Sequence, residues 1–255
     1  MTVHNLSAQW LSAVGSLSGE GAVPSRHQPD VFSGFHTAGH TVHKRKNYWG
    51  IRTTWPYVNA GLQETTLTWA SVGAGGLFTA SFCRTGMPAL AQWRMHGGYG
   101  KWLTDQWMMM VQTRCLVTTG SGFLASADLD ARLKLLYKPD NQVVVGLQVD
   151  GLNTFFRPRE SRSNLTMEAT VGLDVNPSAF VFASIRKNAE SVISGQWGCQ
   201  YRMHARAAIR SSIQWQPFMV SSMFLFQLNT GFRLGVESSF HPVLGVSPGI
   251  QLHFL

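Results

Sequence analysis

Residues 165–176 run Leu165-Thr166-Met167-Glu168-Ala169-Thr170-Val171-Gly172-Leu173-Asp174-Val175-Asn176. Leu165, Met167, Ala169, Val171, Leu173 and Val175 share one parity. Thr166, Glu168, Thr170, Gly172, Asp174 and Asn176 share the other. Successive side chains of a strand point to opposite faces, so this segment is a strand with one apolar wall and one wet wall. Asn176-Pro177 then breaks it.

The same period of two extends in both directions. Ala125, Ala127, Leu129, Ala131, Leu133, Leu135 and Tyr137 alternate with Ser126, Asp128, Asp130, Arg132 and Lys134. Pro139-Asp140-Asn141 reads as a turn, and Val143, Val145, Leu147 and Val149 resume the alternation. From Trp197 to Trp215 the pattern persists for longer than one barrel strand of about 9–11 residues allows, so two strands joined by a short turn are expected there. Shorter strands fit around Ile51, Leu67, Phe78, Trp93, Met109, Val181, Phe224, Leu234 and Leu252. No helical crossover of the kind a parallel sheet requires interrupts them, so hairpin-linked antiparallel pairing is the default.

Composition says what surrounds this sheet. Of 255 residues only 13% are charged, against roughly a quarter in ordinary soluble domains, yet 15 Phe, 9 Trp and 5 Tyr are present. A chain this aromatic folds, and something other than charge covers much of its surface. A lipid-facing wall meets that requirement; a soluble β-rich binding protein with an uncharged polar surface is the competing reading. No stretch is apolar enough for a membrane helix, and no basic start with an apolar core suggests a secretory signal. Without helices, the structure that crosses lipid is a closed barrel, where every backbone group pairs between strands. Tryptophans 49, 55, 69, 93, 102, 107, 197 and 215 fall near inferred strand ends, as an aromatic girdle requires.

The expected fold is therefore all-β: one antiparallel transmembrane barrel over residues 34–255, preceded by a separate segment over 1–33. The spacing of Leu6, Trp10, Val14 and Leu17, with Val3, puts them on one face of a short amphipathic helix, ended by Gly19, Gly21 and Pro24; it reads either as a segment packed in the pore or against the membrane, or as a surface helix or frayed tail. About 12 residues per strand and turn predicts about 16–19 strands.

The order of segments from Tyr137 to Ser184, followed by Thr230-Gly231-Phe232-Arg233-Leu234-Gly235-Val236, resembles the mitochondrial porin superfamily. That superfamily holds the voltage-dependent anion channels and the import pore of the outer-membrane translocase. Its members carry a C-terminal sorting signal, and Ser247 to Phe254 fits it through Gly249, Leu252 and Phe254; Asn229 to Val236 fits as well. The resemblance implies a barrel of about nineteen strands in the mitochondrial outer membrane, an N-terminal helix held in the pore, and lipid as surroundings. It also implies as partners either preproteins with presequences and other translocase subunits, or anionic metabolites, with a homo-oligomer as the alternative assembly.

The polar parity supplies candidate pore-lining residues: Arg132, Lys134, Glu168, Arg202, Arg206 and Arg210. Walls of Arg favour anions, and the net charge of +8 tilts the same way, while the order of segments tilts toward the import pore. No phosphate loop or nucleophile elbow is present, so an enzyme is not expected, nor is a cofactor. His36, His40 and His43 sit beside Lys44, Arg45 and Lys46 and read as a solvated basic stretch, not a metal site. Nucleic acid is not an expected partner. Cys83, Cys115 and Cys199 are odd in number and far apart, and read as unpaired residues on strands.

Overall fold

The computed structural model describes residues 47–254 except 59–60, 74–75, 88–89, 121–122, 153–164, 189–192 and 230. These form fourteen strands: β1 (Asn47–Thr54), β2 (Gln63–Gly73), β3 (Gly76–Met87), β4 (Leu90–Trp102), β5 (Trp107–Gly120), β6 (Phe123–Tyr137), β7 (Val143–Asp150), β8 (Thr166–Asn176), β9 (Ala179–Asn188), β10 (Ile193–His204), β11 (Ala207–Trp215), β12 (Met219–Asn229), β13 (Phe232–His241) and β14 (Gly245–Phe254). Each pairs antiparallel with its neighbours in sequence, and β1 closes onto β14 through pairs from Trp49↔Phe254 to Thr54↔Gly249. Strands linked by hairpins alternate in direction, so an antiparallel closing pair requires an even number. The first and last strands thus place Asn47 and Phe254 at one end of the barrel, here the termini end.

The all-β closed antiparallel barrel matches the sequence reading, but its fourteen strands are fewer than the 16–19 expected and the nineteen that the resemblance implied. The reason is strand length. Strands β4, β5 and β6 hold 13, 14 and 15 residues, and residues 151–165 link β7 to β8. The stretch from Trp197 to Trp215 divides into β10 and β11 at a turn over 205–206. Among the described residues there is no α-helix, and no helix long and apolar enough to cross a membrane. The predicted helix with Leu6, Trp10, Val14 and Leu17, and the histidines 36, 40 and 43, lie outside the described residues.

The parity read from residues 165–176 sets the two walls. Met167, Val171, Leu173 and Val175 are exposed on the outside of β8, while Glu168, Thr170 and Asp174 are buried inside. Around the circumference the outer wall is apolar: Ile51, Leu67, Phe82, Val111, Leu147, Ile185, Phe224 and Ile250 are all exposed. Water-soluble monomers rarely leave an apolar surface of this extent uncovered. Near the termini end the outer wall turns aromatic. Trp49 lies 6.1 Å from Trp69 between ring centroids, Phe232 4.9 Å from Phe254, Phe78 5.0 Å from Tyr99, and Trp107 stacks on Tyr137 at 4.4 Å. Paired through Trp49↔Phe254, these rings run as a band from β13 through β6.

The barrel lumen as candidate functional site

The lumen has three regions, each traceable to residues of inward parity. At the termini end it is apolar. Tyr48, Ala70, Leu77, Met108, Met110, Leu136, Val144, Phe180 and Phe182 form one buried cluster, with Val72 and Trp102 packed on it. Here strands β5, β6, β7 and β9 depart from alternation: Trp107-Met108-Met109-Met110-Val111, Leu135-Leu136-Tyr137, Val143-Val144-Val145 and Phe180-Val181-Phe182 are apolar on both parities. A continuous apolar run is the mark of a strand buried on both faces. Two inward glycines make room for the rings. A Cβ on Gly172 would meet the Phe180 ring at 2.6 Å, and one on Gly198 would meet the Phe182 ring at 2.7 Å. Phe180 and Phe182 therefore lie against the wall, stacked 6.1 Å apart.

Beyond this cluster the lumen wall carries ion pairs. Arg114 donates to Asp130 at 2.6 Å, Arg186 to Glu168 at 2.7 Å, Arg94 to Glu64 at 2.7 Å, and Arg52 to Glu237 at 2.8 Å; Arg132 pairs with Asp150. Three of the pairs bridge adjacent strands, and Arg94–Glu64 and Arg52–Glu237 each reach across an intervening strand. Further hydrogen bonds satisfy the charges: Thr85 Oγ1 donates to Glu64 at 2.9 Å, Gln148 to Asp150 at 2.8 Å, and the Gly151 amide to Asp130 at 3.1 Å. A buried charge is costly unless it is paired and hydrogen-bonded. Five arginines and five carboxylates are thus paired along this part of the wall.

The third region is an open cavity against β10–β14, β1 and β2. Its lining is rich in hydroxyls and carboxamides, among them Ser212, Ser221, Ser239, Ser247, Gln214 and Gln251. Ser212 and Ser221 hydroxyls lie 2.6 Å apart, and Gln196 Nε2 donates to Ser212 at 2.9 Å. The loop after β1 borders it. Tyr57 is buried there, its amide donates to Ser247 Oγ at 2.8 Å, and burial pushes its phenol above the ordinary tyrosine value.

The structure places the predicted lining residues as follows. Arg132, Lys134 and Glu168 point inward and are buried. Arg210 points inward on β11, its guanidinium 5.0 Å from the Phe182 centroid. Arg202 shares the inward parity of Gln200 near the end of β10. Arg206 lies in the exposed turn between β10 and β11, so the expected three-residue stripe is two inward arginines with the third at the turn. In β14, Gly249 takes the inward parity while Leu252 and Phe254 take the outward one; Leu234 and Val236 of the second sorting match also face outward, with Gly231 in the turn before β13. Arg52, Glu64, Arg94, Arg114, Asp150, Arg186 and Glu237 were not singled out from sequence. Their inward parity was available there, but their partners depend on register. The three cysteines are all free thiols, Cys83 buried and Cys199 exposed. Among the described residues, no group of three His, Cys, Asp or Glu could hold a metal ion.

No family model matches this chain, and no curated protein does. Its fold is similar to solved outer-membrane barrels. The CymD monoaromatic hydrocarbon channel superposes with a TM-score of 0.64 at 9% identity, covering 88% of this chain and 92% of that one. The Ralstonia pickettii toluene transporter TbuX gives 0.62 at 8% identity over 92% and 94%. The Pseudomonas putida toluene transporter TodX gives 0.61 at 9% identity over 85% and 90%. At such identities the likeness is one of fold.

Proposed function

We propose that this chain is a solute channel of an outer membrane, with lipid against its outer wall and solute in its lumen. The observation that carries the proposal is the inversion of the barrel: an exposed apolar wall with an aromatic band outside, and hydrogen-bonded charge and hydroxyls inside. That arrangement suits a barrel standing in hydrocarbon. The channels and transporters among its structural neighbours support the reading. The apolar cluster that holds Met108, Met110, Phe180 and Phe182 stands at the termini end of that lumen.

Anion selectivity, which the net charge suggested, would have to rest on inward Lys134, Arg202 and Arg210, because Arg132, Arg186, Arg114, Arg94 and Arg52 are matched by carboxylates. The protein-conducting pore of the mitochondrial translocase is the second reading. It is favoured by the outward placement of Leu252 and Phe254 after inward Gly249, as a sorting signal read by an insertion machinery requires.

Reversal potentials and presequence-peptide titration on the purified full chain separate these readings. A solute channel gives weak ion selectivity and no peptide block. Strong anion preference supports the metabolite channel, and submicromolar peptide block supports the import pore; either overturns the proposal.

A further inference from the structure

We infer that the cavity against β10–β14 is a binding site for a neutral polyhydroxylated solute. The inference deepens the channel reading, since the site lies in the lumen that the proposed solute crosses.

What distinguishes the cavity is the neutrality of its polar lining. Of its charged members, Arg52 bonds Glu237 and Glu64 accepts from Arg94 and Thr85, while Arg210 stands over the Phe182 ring. The groups that remain are hydroxyls and carboxamides, each able to donate and accept. Ser212, Ser247 and Gln251 are more than nine-tenths buried and fixed, Ser212 by Gln196 and Ser221, Ser247 by the Tyr57 amide. Gln214 and Ser239 line the same space with no side-chain hydrogen bond to another described residue.

A ligand with many hydroxyls and no charge complements this wall group for group. Met219, Met223 and Pro56 supply a short apolar strip for the C–H face of a sugar ring. An apolar aromatic molecule would instead desolvate these hydroxyls and amides without replacing their hydrogen bonds. An anion would find the Arg52 and Arg94 guanidinium groups already held by carboxylates. The site adjoins the apolar cluster, whose members come from β1 to β9, where Arg210 stands over Phe182.

The test is maltose titration of the ion current through the full-length chain in a planar bilayer. The expected result is saturable, concentration-dependent block by maltose. The double variant Ser212→Val/Gln214→Leu should conduct but weaken block at least about tenfold, the equivalent of roughly 1.4 kcal/mol. Ser211→Ala, on the outer wall, should block like the unmodified chain. Block by sulfate or toluene in place of maltose overturns the inference, as does equal block in the double variant. If no current flows, the channel reading fails by itself. Calorimetric titration of maltose into the chain in a sugar-free amine-oxide detergent then decides the site: saturable heat lost in the double variant supports it, and no heat overturns it.

Discussion

Replacing Val171 with Arg puts a cation on the outer wall at the middle of β8. Val171 is the sixth of eleven residues in that strand, and its outward neighbours across the sheet are Val145 and Ala183. At about 3.3 Å per residue and a tilt of about 40°, five residues on either side place it roughly 13 Å from each strand end. An apolar band about 25 Å tall then has Val171 at its midplane, where Arg costs roughly 2–4 kcal/mol. A value of about 3 kcal/mol lowers the folding equilibrium constant by roughly 150-fold. Gln214→Arg adds the same charge in the lumen cavity, where Gln214 is half-buried beside polar groups, and should cost under about 0.5 kcal/mol. Urea-dependent refolding into phospholipid vesicles, followed by tryptophan fluorescence, measures both. Equal cost at the two positions, or no cost at Val171, refutes the assignment of the outer wall to lipid.

Three further outcomes follow from the same geometry. Glu64→Gln should destabilise the barrel by about 3 kcal/mol in the same refolding assay, because Arg94 stays buried after losing its carboxylate, and Glu64→Gln/Arg94→Met should recover most of it. Leu252→Gln/Phe254→Gln should leave the chain synthesised but absent from the membrane fraction; normal insertion moves the signal to Gly231, Leu234 and Val236. In the β6–β7 turn, the Gln142 and Val143 amides, both 2.7 Å from Asp140 Oδ1, hold its carboxyl below the ordinary value. A lowered pKa contributes stability at neutral pH that is lost as pH falls through the folded-state value. Amide protection of Val143 should therefore persist below the usual carboxylate range, and Asp140→Ala should lose it at every pH; protection unchanged in that variant counts against the turn.

Strand character was legible wherever one face is apolar and the other polar, as in β8 and along Ala125–Tyr137. The split between β10 and β11 was legible from length alone. The strand number was not, because a barrel strand stops where its turn forms, and segments such as β6, with 15 residues, carry their alternation past the usual barrel-strand length. Lumen charges could be assigned by parity, and Arg132, Lys134 and Glu168 are inward. Their partners could not, since Arg132 reaches Asp150 and Glu168 reaches Arg186 only through the registers of β6 with β7 and β8 with β9. The apolar cluster was hidden for another reason. Met108, Met110, Leu136 and Phe180 sit in runs where both parities are apolar, and such a run does not say which residues face lipid and which face the lumen. The hydroxyl cavity is assembled from seven strands, none of which holds more than a few of its serines.

The most direct measurement is the conductance of the purified full-length chain added to one side of a planar lipid bilayer. A closed barrel with a solute-accessible lumen gives discrete current steps of uniform size, and the protein stays in the pellet when vesicles carrying it are extracted with alkaline carbonate. A bilayer that remains silent, with the chain released by carbonate, contradicts a membrane-spanning channel.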